Sequence, residues 1–388
     1  MKATLFILAV SWASTCLAGL PVDLPFTLDH NRLTLDVELC RPNGSRRKAR
    51  AWLDTGSPGL QLAEPLAREM GLQIPAFGPE GRGAPSTSPA PVILAGGVAL
   101  DVDGSPVQVQ PNGEVRAGVQ AEVTLPARVF RNFRMTLDYP ARRLRLSLPG
   151  GGDRGGAAIP CRVHPDTGMV QVAVTLGGEK VQLAVDTGSA GTWISRSLVD
   201  RHSEWPAATG AAGSANFFGF AFEAEGRLVR IPELHLGPMN LGSVGALGLD
   251  QRIFDGYSRK TAAPVSGFIG GNILKNFRVE IDPVAQMSWW TPASGRAAEP
   301  FDMVGLTLRP LPGGGLMVAG VVQKDGRPCV EGVQPGDHLL QVDSLKVTGA
   351  SMGEAVQALR GRPGEVRTLL LERDGKPHTV RAKIATLI

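Results

Sequence analysis

Apolar positions along this chain fall in short runs of Val, Leu, Ile and Thr, broken every few residues by Gly, Pro, Asn or Asp. Runs of that length between turn residues predict many short strands. Three stretches carry helical apolar spacing instead: Glu64 to Leu72, Ser195 to Trp205 and Met352 to Gly361. The first two each follow a strand-like run that ends in Asp-Thr-Gly-Ser. With 49 glycines, 30 prolines and only 5% aromatic residues, the composition agrees with a mostly β protein. At 388 residues and 43% hydrophobic, the chain can build more than one core.

The pattern repeats. Ala51-Trp52-Leu53-Asp54-Thr55-Gly56-Ser57-Pro58-Gly59-Leu60 has a partner in Leu183-Ala184-Val185-Asp186-Thr187-Gly188-Ser189-Ala190-Gly191-Thr192. The register continues, with Leu62 matching Ile194 and Leu66 matching Leu198. A second pair, residues 125–134 and 269–278, aligns Asn132-Phe133-Arg134 with Asn276-Phe277-Arg278, and each copy runs on to a closing strand through Leu137-Asp138 or Ile281-Asp282. Asp186 follows Asp54 by 132 residues and Asn276 follows Asn132 by 144, so the copies differ mainly by an insertion between motifs. A repeat of this size is a domain, not a solenoid module. The glycine-rich stretch Pro149 to Gly156 reads as the linker between copies, Thr291 to Pro300 as the exit from the second, and Pro75 to Pro91 as a surface loop. The expected organisation is 1–18, 24–149, 157–292 and 301–388.

Residues 1–18 have the layout of a secretory signal: Lys2, an apolar run from Leu5 to Val10, then small residues up to Ala18. Cleavage after Ala18 gives a secreted or periplasmic protein; a lipidated Cys16 or an uncleaved anchor would tie it to a membrane. Export permits disulfides, and the odd set Cys40, Cys161 and Cys329 leaves room for one bridge, of which Cys40–Cys161 is a candidate. Net charge is +4, but the basic residues are scattered and mostly arginine, which argues against a nucleic-acid partner. The six histidines form no local cluster and no His-Glu-x-x-His occurs, so neither a metal nor another cofactor is expected.

A single Asp-Thr-Gly is weak evidence, and His164-Pro165-Asp166-Thr167-Gly168-Met169 holds a third copy with no apolar lead-in, read as a hairpin turn. Asp54 and Asp186 differ in context. Each ends an apolar run that carries the aspartate to where water is scarce. Side by side, two such carboxylates share one proton, so one activates water as a base while the other donates to a carbonyl oxygen. Gly56 and Gly188 allow the tight turn and close approach of the loops. Thr55 and Thr187 are candidates to bond across the axis relating the copies. Ser57 and Ser189 are candidates to bond the carboxylates and lower their pKa.

On these motifs residues 30–291 resemble pepsin/retropepsin-like aspartic proteases, the second copy best, through Phe268-Ile269-Gly270-Gly271-Asn272-Ile273-Leu274. The resemblance implies a bilobal pair of acid-protease β-barrels, Gly270 passing beneath the catalytic loop, and a monomeric endopeptidase acting on polypeptides. Pro126 stands at the matching glycine of the first copy, implying a rebuilt loop or a shifted alignment. The family's flap tyrosine is missing, since Tyr139 and Tyr257 are misplaced, and the flap falls to Ala95–Val109 or Asn216–Phe220.

From Phe301 the chain resembles a PDZ domain, through Pro312-Gly313-Gly314-Gly315-Leu316-Met317 and Gly332-Val333-Gln334-Pro335-Gly336-Asp337, which turns into an apolar strand. That resemblance implies a peptide added as a strand, its C-terminal carboxylate received by Gly314, Gly315, Leu316 and Met317. The module could instead only pack on the lobes. Two other readings compete with the protease: a duplicated β scaffold whose aspartates cap turns, and a non-catalytic protease-like peptide binder.

Overall fold

The computed structural model describes residues 19–388 except 58, 75, 78–82, 103, 105–106, 112, 116–117, 152–153, 210–225, 296–300 and 312–313. The expected signal sequence, Asn216–Phe220, Gly152-Asp153 of the linker and Pro312-Gly313 therefore lie outside the described residues. The protein is mostly β, with 47% of residues in strands and 11% in helices.

In the first half, β1 (Val22–Asp29), β2 (Arg32–Cys40) and β3 (Arg46–Asp54) form an antiparallel meander. There follow β4 (Leu60–Ala63), helix α1 (Glu64–Glu69), β5 (Ala84–Pro85), β6 (Ile93–Ala95), β7 (Val98–Ala99), β8 (Val107–Gln110), β9 (Val123–Pro126), β10 (Arg134–Asp138) and β11 (Arg143–Ser147). β3 starts with exposed or half-exposed arginine and lysine and ends in four consecutive buried residues, Ala51 to Asp54. That switch has a cause: β9 runs parallel to the end of β3, with Leu125 beside Leu53 and Pro126 beside Asp54, and the end of the strand is covered on both faces. β4 lies antiparallel to β9 and parallel to β8.

The second half repeats these pairings. β12 (Ala157–Val163), β13 (Val170–Leu176) and β14 (Glu179–Val185) form the meander. Then come β15 (Thr192–Ser195), α2 (Arg196–Arg201), β16 (Ala207–Thr209), β17 (Arg227–Ile231), β18 (Leu234–Leu236), β19 (Met239–Asn240), β20 (Val244–Leu249), α3 (Gln251–Ser258), β21 (Gly267–Ile269), α4 (Gly271–Leu274), β22 (Phe277–Asp282) and β23 (Met287–Pro292). β14 ends buried at Leu183-Ala184-Val185 and pairs in parallel with β21, while β15 pairs antiparallel with β21 and parallel with β20. The helices are shorter than their apolar spacing predicted. The side chain of Ser195 caps α2 by accepting from the Ser197 amide, and α2 ends where His202 leaves helical backbone.

Two expectations need correction here. The described residues of Ala95–Val109 pack in the core and do not stand free as a flap: Ala95, Val98, Leu100, Val102, Val107 and Val109 are buried, and Gly96 packs on Val22 and Leu24. Alternating apolar residues held β6 to β8 in the sheet. Cys40, Cys161 and Cys329 are all free thiols, so the Cys40–Cys161 bridge is absent. Burial, with the nearby charge of Asp282, pushes the Cys161 thiol up to about 12, which leaves it unreactive.

The halves are stitched by one continuous sheet in the order β1–β11–β10–β22–β23–β12, with β10 and β22 antiparallel at the join. Arg134 on β10 and Glu280 on β22 form a fully buried ion pair across it. Glu280 also accepts from Thr136 Oγ1 at 3.3 Å, and the Arg134 guanidinium lies 5.5 Å from the Trp289 ring centre.

The C-terminal unit contains β24 (Asp302–Met303), β25 (Leu306–Pro310), β26 (Leu316–Val321), β27 (Gln323–Lys324), β28 (Arg327–Pro328), β29 (His338–Val342), β30 (Leu345–Lys346), α4's successor α5 (Met352–Ala358), β31 (Val366–Arg373), β32 (Lys376–Lys383) and β33 (Ala385–Thr386). Its main sheet runs β25–β26–β29–β31–β32. Ser351 and Glu354 close a capping box at the start of α5. The unit is not hung on a tether. Phe301 packs on Gly245, and one buried cluster joins Trp193, Leu247, Phe254 and Phe268 of the second half to Phe301, Val330 and Leu387. β27 also pairs with β16, adding the β27–β28 hairpin to the sheet of the second half.

Breaking the ion pair at the join leaves a buried charge without its partner. Glu280→Ala should lower the unfolding free energy by about 3–5 kcal/mol in urea denaturation, whereas replacing both partners, Arg134→Met with Glu280→Leu, should cost less.

Candidate active site

Asp54 is the last residue of β3 and Asp186 the first after β14. Because both strands belong to the same repeated arrangement, their ends meet where the two halves face each other, and both aspartates are buried. Each carboxylate accepts from the glycine amide two residues on: Gly56 to Asp54 Oδ1 at 3.1 Å, Gly188 to Asp186 Oδ1 at 2.9 Å. The loops then interlock. Thr187 Oγ1 accepts from the Thr55 amide (3.1 Å) and donates to Leu53 O (2.8 Å); Thr55 Oγ1 accepts from the Thr187 amide (3.0 Å) and donates to Val185 O (2.8 Å). Each hydroxyl thereby satisfies one donor and one acceptor of the opposite half.

The glycines set the separation of the carboxylates. A Cβ on Gly56 would lie 2.6 Å from Asp186 Cγ, and one on Gly188 would lie 2.2 Å from Asp54 Oδ1. Each carboxylate therefore occupies the space where the other loop has no side chain. Burial raises the Asp186 carboxyl well above its usual range, and the charge and hydrogen bond of Asp54 raise it further, against the opposing pull of the Gly188 and Gly56 amides. Two carboxylates this close and this buried disfavour ionising together, which favours a shared proton.

Ser57 and Ser189 do not serve as expected. The Ser57 hydroxyl donates to Gly59 O at 3.0 Å and the Ser189 hydroxyl to Gly191 O at 2.6 Å. A hydroxyl has one proton to give, so these brace their own loops and leave the Asp186 carboxyl raised rather than lowered. Gly270 sits where a Cβ would be 1.9 Å from Gly191 O, so a side chain is excluded by main chain. Pro126 occupies the corresponding place beside Asp54 with the register intact, correcting the expectation of a rebuilt loop. Its missing N–H has no counterpart to satisfy: Thr192 Oγ1 accepts from the Gly270 amide at 3.3 Å, whereas Leu60 stands in the first half where Thr192 stands in the second.

Several residues around the site were not singled out in the sequence. Thr192 donates to Asn272 Oδ1 (2.8 Å), and Asn272 Nδ2 donates to Gly245 O (2.9 Å), bracing the Gly270 segment. Asn31 Nδ2 donates to Ala190 O in the Asp186 loop at 3.1 Å. Its signal was only that of a turn residue between two strands. Tyr139 is buried, its hydroxyl pushed up by burial and by the charge of Asp186, and Tyr257 packs edge-on against Phe268.

In the C-terminal unit, Gly314 and Gly315 (φ 98° and 94°) make the turn joining β25 to β26, with the Gly314 amide donating to Leu311 O. Leu316 and Met317 are paired on both sides, with β25 and with β29. A peptide strand added alongside Leu316 and Met317 would have to displace one of these neighbours. A cavity of about 480 Å³ lies beside them, lined by Leu316 and Met352 and, from the first half, by Gly118 and Gln120.

Residues 172–272 match the family model described as aspartyl protease. The matched span takes in Asp186, Gly270 and Asn272 and stops short of Asp54. A stretch of 76 residues is 40% identical to the FERM and PDZ domain-containing protein 2 of Mus musculus, covering 19% of this chain and 5% of that protein. The family match supports an aspartic protease family for this chain and peptidase chemistry in general.

Proposed function

We propose that the chain is an exported aspartic endopeptidase in which the two halves are pepsin-type lobes and Asp54 and Asp186 are the catalytic pair. The reading is carried by one observation: the carboxylates meet in a buried site, held by reciprocal threonine bonds from each loop to the other. A pair with one proton has both functions that amide hydrolysis needs. The ionised carboxylate takes a proton from a water molecule as its oxygen attacks the carbonyl carbon, and the protonated one donates to the carbonyl oxygen. When the C–N bond breaks, the protonated carboxyl gives its proton to the leaving nitrogen and the ionised one takes a proton from a hydroxyl of the tetrahedral intermediate, which releases an amine and a carboxylic acid and leaves the pair with one proton again. No group beyond the two aspartates and water enters this balance.

The C-terminal unit is proposed as a PDZ-like module. The strand set around α5 and the likeness to a protein that carries a PDZ domain support this. A peptide would enter beside α5, next to Gly314 and Gly315, at the cavity lined by Leu316 and Met352.

Asp54→Asn and Asp186→Asn should each lower cleavage of a denatured protein by at least about 10²-fold, with the fold kept, as read by fragment mass spectrometry between pH 3 and 8. Intact substrate with the unaltered, folded protein would favour the peptide-binding reading instead. The raised Asp186 carboxyl also has a thermodynamic consequence. Its folded pKa exceeds the unfolded one, so its stabilising effect is complete below about pH 4 and is lost as pH rises through the folded value. Asp186→Asn should therefore raise the thermal midpoint relative to the unaltered protein at neutral pH, with the difference shrinking towards pH 4. A difference independent of pH would show that the carboxyl is not raised.

A further inference from the structure

The turn between β1 and β2 touches both the Asp186 loop and the C-terminal unit. Its residues His30 and Asn31 have left-handed backbone, φ 47° and 61°, which the chain tolerates best at Asn or Gly. From that turn the Asn31 side chain donates to Ala190 O, and the Asn31 carbonyl oxygen lies where a Cβ on Gly271 would be 2.4 Å away. Asn31 therefore holds the back of the Asp186 loop and the segment that follows Gly270. Two residues earlier, Asp29 accepts from the Gly353 amide at 3.0 Å and from the Ser351 hydroxyl, both at the start of α5. Beyond this first turn, α5 stands away from the hairpin. A cavity of about 790 Å³ separates them, lined by His30, Tyr139 and Lys275 on one side and Gln357 and Arg360 on the other.

We infer that Asn31 is a positioning residue for the Asp186 loop, and that α5 sets the placement of Asn31 through Asp29. The inference rests on the reading of Asp54 and Asp186 as the catalytic pair. Asp29 and Asn31 are separated by one residue, so a shift of the α5 N-terminus is carried to Ala190 with little chain to absorb it. The C-terminal unit thereby acts on one aspartate loop of the two. In the other half, the corresponding turn at Thr167 and Gly168 leans likewise on the opposite half, at Ala127, but the Thr167 hydroxyl donates to Lys260 O of its own half and not to the C-terminal unit.

Two variants of the full chain separate this from a purely structural contact. Asn31→Gly keeps the left-handed turn and removes only the amide donor. Gly353→Ala favours helix, but its Cβ would lie 2.3 Å from Asp29 Oδ1 and 2.7 Å from the His30 amide nitrogen, prying the joint open from the side of α5. Both should lower kcat by about three- to thirtyfold, leave KM within about twofold, and speed hydrogen exchange of residues 186–192 measured by mass spectrometry. Unchanged kcat and unchanged exchange in Gly353→Ala would overturn the inference. If the unaltered protein cleaves nothing, exchange alone decides: faster exchange in both variants supports the link, and equal exchange removes it.

Discussion

Two carboxylates set side by side away from water repel each other and lose hydration, so the loops that carry them need a restraint that does not depend on charge. Thr55 and Thr187 supply it. Each hydroxyl accepts from the main chain of the opposite loop and donates to the main chain of the opposite strand. These neutral bonds keep their strength whatever the protonation of the dyad, and the buried site makes an unmade one expensive. The parallel pairing of β3 with β9 and of β14 with β21 brings the strand ends to this point, and the sheet through β10 and β22 keeps the two halves from drifting apart.

Within that frame the halves differ. The second braces its crossing segment by polar contacts, Gly270 to Thr192 to Asn272 to Gly245. The first dispenses with them: Leu60 replaces the hydroxyl and Pro126 removes the amide that would have bonded it. The two changes fit each other, since either alone would strand a buried polar group. Pro126 in isolation looked like damage to the site, and next to Leu60 it is half of a matched pair.

Those features of the site written locally in the chain were legible from it. A strand reads out through its apolar run, a tight loop through Asp-Thr-Gly, and a duplication through two aligned segments, so Asp54, Asp186 and their glycines could be named in advance. The third triplet at Asp166 was equally legible as a turn, because no apolar run leads into it. What escaped depends on which group a side chain faces in three dimensions. Ser57 and Ser189 sit next to carboxylates in sequence yet give their protons to Gly59 and Gly191. Gly314 and Gly315 carry the backbone freedom of a receiving loop, but the first two residues of the strand that follows, Leu316 and Met317, already pair with β29. Ala95 to Val109 has strand periodicity that suits a hairpin over a cleft or a hairpin in a core, and burial decides for the core.

The C-terminal unit shows the same limit from another side. Its strands and α5 could be read locally, whereas its attachment could not, because Gly245 beneath Phe301 and Gly353 against Asp29 are ordinary glycines until the facing residue is known. Both contacts require the absence of a side chain, and both tie the unit to the halves that carry the aspartates. A module joined only by a linker would change local concentration of a ligand and nothing else. One that shares a hydrophobic core with the second half and caps its helix with a residue of the first cannot move without straining both. Because the strain at Asp29 passes to Asn31 and then to Ala190, it falls on the loop that carries Asp186, the carboxyl that burial and the charge of Asp54 raise.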